Sequence, residues 1–175
     1  DGSFKNCSGL TDVTMPKSVV HIGVDAFRGC ENLISVKLSD NITEISKGTF
    51  LGCKALSSII IPDSVKSIGN DAFYNCAGLK SITFGKRTSS IGERAFSNCE
   101  SIESLTLPNS VTLIGESAFT NCKSLKNAVI SNNVQKIEEG TFFGCDSLEE
   151  ITLPFIGHKK KNSLTYEYDS YDAVF

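Results

Sequence analysis

Phenylalanine recurs at Phe4, Phe27, Phe50, Phe73, Phe96, Phe119 and Phe142, each 23 residues after the last, and a cysteine stands three residues beyond every one. Those cysteines, Cys7, Cys30, Cys53, Cys76, Cys99, Cys122 and Cys145, account for all 7 in the 175-residue chain. Three positions further on comes Leu10, Leu33, Leu56, Leu79, Ile102, Leu125 or Leu148, and other apolar residues keep the same phase. A period held through seven registers without a slip restricts the chain to a repeat architecture of about six stacked units over residues 1–154.

Within a unit the spacing changes its meaning. One unit reads Leu56, Ile59, Ile61, Pro62, Val65, Ile68, Gly69, Ala72, Phe73, Cys76. In the next, Leu79, Ile82 and Phe84 end in an alternation that predicts a short strand, with Ile82 and Phe84 inward and Ser81 and Thr83 outward. Pro62, Pro108 and Pro154 close that strand in three units, because proline has no N–H to offer a ladder. A second brief extended piece is expected around Val65 and Ile68, and Ala72, Phe73 and Cys76 have the spacing of one helical or 3₁₀ turn. Gly23, Gly69, Gly92 and Gly115 follow the last isoleucine of their units, but Ser46 and Glu138 take the same place. A positive φ is therefore not expected there. A lone unit with about eight inward apolar positions cannot offset the entropy of ordering its whole length, so each must lie on its neighbour and pair strands in parallel.

The order Leu-x-x-Ile-x-Leu-Pro-x-x-Val-x-x-Ile-Gly-x-x-Ala-Phe-x-x-Cys, clearest at Leu56 to Cys76 and Ile102 to Cys122, resembles the BspA-type leucine-rich repeats of bacterial surface proteins and some protozoa. The resemblance implies a right-handed leucine-rich-repeat solenoid with a short parallel β-ladder on its concave face and short extended or 3₁₀ turns on the convex side. It further implies an extracellular or cell-surface setting, a role in adhesion to a host or matrix protein or glycan, and no shared catalytic residues. After Pro154 the pattern departs: Thr165 and Tyr168 stand where a phenylalanine and a cysteine would fall. Residues 155–175 are expected to form an irregular longer unit or loop that starts a further repeat, and the fragment is expected to belong to a longer protein.

Charge and composition narrow the partners. A formal net charge of −3 spread along the chain provides no basic face for nucleic acid. Apolar runs such as Ile59-Ile60-Ile61 are far shorter than a bilayer span, so membrane insertion of this segment is not expected. The outward strand positions are the leading candidate site, since repeat proteins bind on the surface their strands form. One column runs Ser35, Ser58, Ser81, Ser104, Asn127, Glu150 and the next Lys37, Ile60, Thr83, Thr106, Val129, Thr152. Their hydroxyls could hydrogen-bond a glycan or an extended peptide, although Ser and Thr are also what a solvated ladder tolerates, and aromatic or arginine anchors are missing from both.

Other candidates have plainer readings. The odd cysteine count lacks closely spaced pairs for metal, and the thiols read as a column of small buried hydrophobes, with an occasional bridge left open. Lys159-Lys160-Lys161 near Tyr166, Tyr168, Tyr171 and Phe175 could form an interaction patch or simply a lysine-rich turn before a packed strand. His21 and His158 lack the context of a triad, and Glu138-Glu139 and Glu149-Glu150 read as solvated faces; neither catalysis nor a cofactor is expected. Asn6-Cys7-Ser8 and Asn41-Ile42-Thr43 fit the glycosylation pattern, which matters only in a eukaryotic secretory route. The sequence thus points to a binding module, with a structural spacer as the alternative.

Overall fold

The computed structural model describes residues 1–154, which form a parallel β-solenoid without a helix among them. Seven three-residue strands recur at the repeat period: β1 (Asp12–Thr14), β2 (Ser35–Lys37), β4 (Ser58–Ile60), β6 (Ser81–Thr83), β8 (Ser104–Thr106), β10 (Asn127–Val129) and β12 (Glu150–Thr152). Between them lie five two-residue strands: β3 (Glu44–Ile45), β5 (Ser67–Ile68), β7 (Ser90–Ile91), β9 (Leu113–Ile114) and β11 (Lys136–Ile137). All pairings are parallel and one repeat in register, for example Ser58↔Ser81 and Ile68↔Ile91. The short strands form one unbroken sheet in the order β11-β9-β7-β5-β3.

The longer strands pair in three blocks, β1-β2, β4-β6 and β8-β10-β12. The gap between β6 and β8 falls beside Phe84, whose ring occupies the phase held by buried Leu38, Ile61, Leu107 and Ile130. It remains half-buried and meets Phe96 edge-on, 5.8 Å between centroids at 74°. No side chain accounts for the gap between β2 and β4. Where proline closes a strand, the residue before it still bonds to the next unit: the N–H groups of Met15, Ile61 and Leu107 donate to the carbonyls of Lys37, Thr83 and Val129. Proline itself sits at the first position that needs no ladder donor.

Of the helical or 3₁₀ turn that the spacing suggests, the turn around the phenylalanine takes the 3₁₀ bonding pattern. It is a run of reverse turns with i→i−3 bonds, such as Ala72 N–H to Gly69 O, Tyr74 N–H to Asp71 O and Cys76 N–H to Phe73 O. Left-handed residues interrupt the run two positions before and two after each phenylalanine. The first column is Gly2, Asp25, Gly48, Asp71, Arg94, Ser117, Gly140, and the second is Asn6, Gly29, Gly52, Asn75, Asn98, Asn121, Gly144. This alternation aims every other N–H along the solenoid. Asp71, Phe73 and Asn75 donate to Glu93 O, Ala95 O and Ser97 O at 2.8–2.9 Å, and the same three-bond set recurs from Gly2 to Asn121. The turn side is thus a third inter-unit ladder.

The glycine after the isoleucine has ordinary φ, in line with the expectation, and a different reason for being there. A Cβ on Gly69 would lie 2.7 Å from Lys47 N and 2.9 Å from Ser46 C, so close stacking of backbones excludes a side chain. The two exceptions use another turn: Ser46 and Glu138 are followed by Gly48-Thr49-Phe50 and Gly140-Thr141-Phe142. There the threonine hydroxyl donates to the carbonyl three residues back, Thr49 Oγ1 to Ser46 O at 2.7 Å and Thr141 Oγ1 to Glu138 O at 2.6 Å.

Inside, the phenylalanines form one continuous stack from Phe4 to Phe142, with neighbouring centroids 5.0–5.8 Å apart and planes within 17°. Phe50, Phe73, Phe96 and Phe119 are fully buried, whereas Phe4, in the first described unit, is 48% exposed. Two outcomes test this packing. Phe96→Ala should lower unfolding stability by about 3–5 kcal/mol as the buried ring is lost, and Phe4→Ala by much less, measured by chemical denaturation. Ser117→Gly should raise stability by about 1 kcal/mol, because glycine relieves a left-handed backbone that serine resists.

Candidate functional site

All twelve outward positions read from the sequence are exposed: Ser35, Ser58, Ser81, Ser104, Asn127 and Glu150 in one column, Lys37, Ile60, Thr83, Thr106, Val129 and Thr152 in the other. The strands carry them because Val36, Ile59, Ile82, Leu105, Ala128 and Ile151 between them turn inward. The first unit extends both columns with Asp12 and Thr14, which sequence reasoning left out although they stand in phase. Ser35 Oγ donates to Asp12 Oδ1 at 2.5 Å. That hydrogen bond, assisted by Thr11, holds the Asp12 carboxyl below the ordinary carboxylate range. The face is polar with isolated apolar points, Ile60 at 69% exposure being the most prominent.

A third exposed column flanks the strands at Thr11, Ile34, Ser57, Lys80, Glu103, Lys126 and Glu149. Simple alternation hides it, because residues such as Lys80 and Ser81 both face outward where the chain turns the corner after buried Leu79. Its last four members alternate in charge. None of these four forms an ion pair or side-chain hydrogen bond with a described residue, whereas Lys54 meets Glu31 at 2.9 Å and Lys123 meets Glu100 at 2.8 Å on the turn side.

The remaining candidates disperse. His21 Nδ1 lies 3.9 Å from Glu44 Oε1, both of them exposed, and the one hydroxyl on that oxygen, Ser46 Oγ at 3.3 Å, is buried and donates more closely to Ile22 O at 2.6 Å. Glu138 pairs with Lys136, and Glu139 is exposed. Among the described residues no group of three or more His, Cys, Asp or Glu converges as a metal site, and no helix is long and apolar enough to cross a membrane. Asn41 Nδ2 donates to Lys17 O at 2.7 Å, and Asn6 is one of the left-handed residues. A recess beside the last described unit is lined by Phe142, Cys145, Leu148 and Ile151, the core phase of that unit, rather than by the strand face. His158, Lys159-Lys160-Lys161, Tyr166, Tyr168, Tyr171 and Phe175 lie outside the described residues, as does the division at residue 155.

The cysteine column is more than a row of small hydrophobes. Every cysteine is a free thiol, and from Cys30 onward all are buried. Each buried thiol donates to the carbonyl of the phenylalanine 26 residues back: Cys30 to Phe4, Cys53 to Phe27, Cys76 to Phe50, Cys99 to Phe73, Cys122 to Phe96 and Cys145 to Phe119, at 3.0–3.5 Å. The same carbonyls already accept a turn bond from the cysteine N–H of their own unit, as Phe73 O does from Cys76. Burial pushes the thiols of Cys76 and Cys99 up and that of Cys53 to about 12.

A profile of the BspA-type leucine-rich-repeat region matches residues 1–63 and 43–168 in six copies. The chain belongs to the BspA-type leucine-rich-repeat family. It is similar to a leucine-rich repeat protein of Bacteroides ovatus, at 34% identity and a TM-score of 0.81 over 87% of this chain and 40% of that one. It is also similar to the T. pallidum leucine-rich repeat protein TpLRR, at 33% identity and a TM-score of 0.79 over 81% of this chain and 69% of the other. A leucine-rich cell surface protein of Faecalibacterium prausnitzii shares the fold at 24% identity and a TM-score of 0.55, over 86% of this chain and 62% of that one. The BspA-type chain therefore spans well under half of the Bacteroides protein. No curated protein sequence matches it significantly. These likenesses are to repeat scaffolds and indicate no enzymatic family.

The thiols give two expected outcomes. In the native state a maleimide should label Cys7, the exposed cysteine, and leave the other six until denaturant is added, read by intact mass. Because burial holds the folded thiols of Cys53, Cys76 and Cys99 above the ordinary cysteine value, the native state holds protons there that the unfolded chain releases. Their contribution is full below about pH 8.5 and should be lost as pH rises toward the folded value of about 12 at Cys53, seen as a falling unfolding midpoint.

Proposed function

We propose that this chain is a non-catalytic binding module of a cell-surface or secreted protein, recognising an extracellular protein or glycan through the strand face. The observation that carries the proposal is the exposed, hydroxyl-rich pair of columns, held in register by parallel pairing across successive units. Regular spacing presents a ligand with repeated donors and acceptors, and the rigid backbone beneath lowers the entropy lost on binding. Membership of the BspA-type family favours the surface location. The shared fold of a neighbour described as a cell surface protein accords with it.

A structural spacer is the second reading. It is favoured by the absence of Trp, Tyr, Phe and Arg from both columns, since those residues usually anchor an interface. The test is a glycan and extracellular-matrix array probed with the chain and with a variant bearing bulky replacements at Ser58, Ser81, Thr83, Ser104 and Thr106. These side chains are exposed, so the variant should keep its fold, checked by circular dichroism. The binding reading expects specific capture that the variant loses by tenfold or more. Capture that the variant retains contradicts use of the strand face, and silence from both folded proteins supports the spacer.

A further inference from the structure

The flanking column carries Lys80, Glu103, Lys126 and Glu149 on four successive units, all exposed and all without an ion-pair partner among the described residues. Read in the opposite direction the order is Glu, Lys, Glu, Lys. A row of this kind is complementary to its own reverse. If two copies meet strand face to strand face with their solenoid axes antiparallel, a twofold axis along the strand direction places Lys80 opposite Glu149 of the second copy. The same operation sets Glu103 opposite Lys126. Each pairing occurs twice, as an isologous contact requires.

The neighbouring column fits the same register. Ser104 faces Asn127 of the second copy, and Ser81 faces Glu150, so a hydroxyl donor meets an amide or a carboxylate and no like charges meet. Sliding one copy by a single unit sets Lys80 against Lys126 and Glu103 against itself, turning attraction into repulsion. The charge order thus selects the register as well as the partner.

From this complementarity we infer that the strand face over residues 80–152 takes a second copy of this chain, antiparallel and face to face, as its partner. The inference rests on the reading of that face as a binding surface. Four units at about 4.8 Å each and three-residue strands about 10 Å long make a face on the order of 200 Å², well short of the roughly 800 Å² per partner of a standard interface. The contact is therefore weak between free molecules and gains strength only where many copies are displayed together, as on opposed surfaces.

Charge exchange tests it on the purified chain by sedimentation velocity across a concentration series at low salt. The native chain should show concentration-dependent self-association that weakens at least tenfold at high ionic strength. Glu103→Lys alone and Lys126→Glu alone should each abolish it, because like charges then face one another at both central pairs. An equal mixture of the two variants should associate again, since each lysine then meets a glutamate across the contact. Absence of self-association in the native chain, or variants that associate as before, overturns the inference. Capture of a different protein or a glycan on the array by a chain that stays monomeric also overturns it, while leaving the binding reading intact.

Discussion

The structure depends on one contact repeated down its length: the backbone of each phenylalanine turn hydrogen-bonded to the turn of the next unit. Phe73 N–H donates to Ala95 O at 2.8 Å, and its carbonyl accepts both Cys76 N–H and the Cys99 thiol. This fixes the spacing at which the rings stack and the strands pair. It also explains why the side chains around it are small. Ala72 and Cys76 leave room for the neighbouring backbone, and Gly69 lies where any Cβ would collide with the previous unit. Pairing of the longer strands is secondary by comparison, since it lapses at two steps while the turn ladder, the ring stack and the sheet of short strands continue.

Most of this was legible in the sequence because the period is unbroken. Phase alone placed the inward residues, the two outward columns and the parallel register. The left-handed columns were not found, although Gly, Asn and Asp fill all but Arg94 and Ser117 of their positions. The glycine after the isoleucine is the more conspicuous signal, and its role is close approach rather than φ. Composition cannot separate those two demands, because both select for a missing or small side chain. Arg94 blurred the signal further. It tolerates a left-handed backbone while its guanidinium holds Asp71 in the same column of the preceding unit, at 2.9 Å through Nε. A thiol that donates to a carbonyl and one that merely fills space leave the same trace in a sequence.

The candidate site was legible in position and incomplete in extent. Alternation predicted two columns and located them correctly on the exposed side. The third column arises because the chain bends between Leu79 and Ser81, where a strict period of two fails and Lys80 emerges beside Ser81. That column carries four of the site's charges, so the electrostatic character of the face depends on a corner that strand periodicity does not describe. The hydroxyl columns supply a regular surface with little distinguishing chemistry of its own. The flanking charges supply order along it.

The most direct measurement of the central claim is native-state amide hydrogen exchange resolved by residue. If the turns form an inter-unit ladder, the amides of Asp71, Phe73, Asn75, Arg94, Phe96 and Asn98 should be protected to the level of global unfolding, matching the strand amides of Ile59 and Leu105. Exchange at those six turn amides near the rate of an open loop, with protection confined to the strands, would contradict the account and return the turns to the status of simple connections.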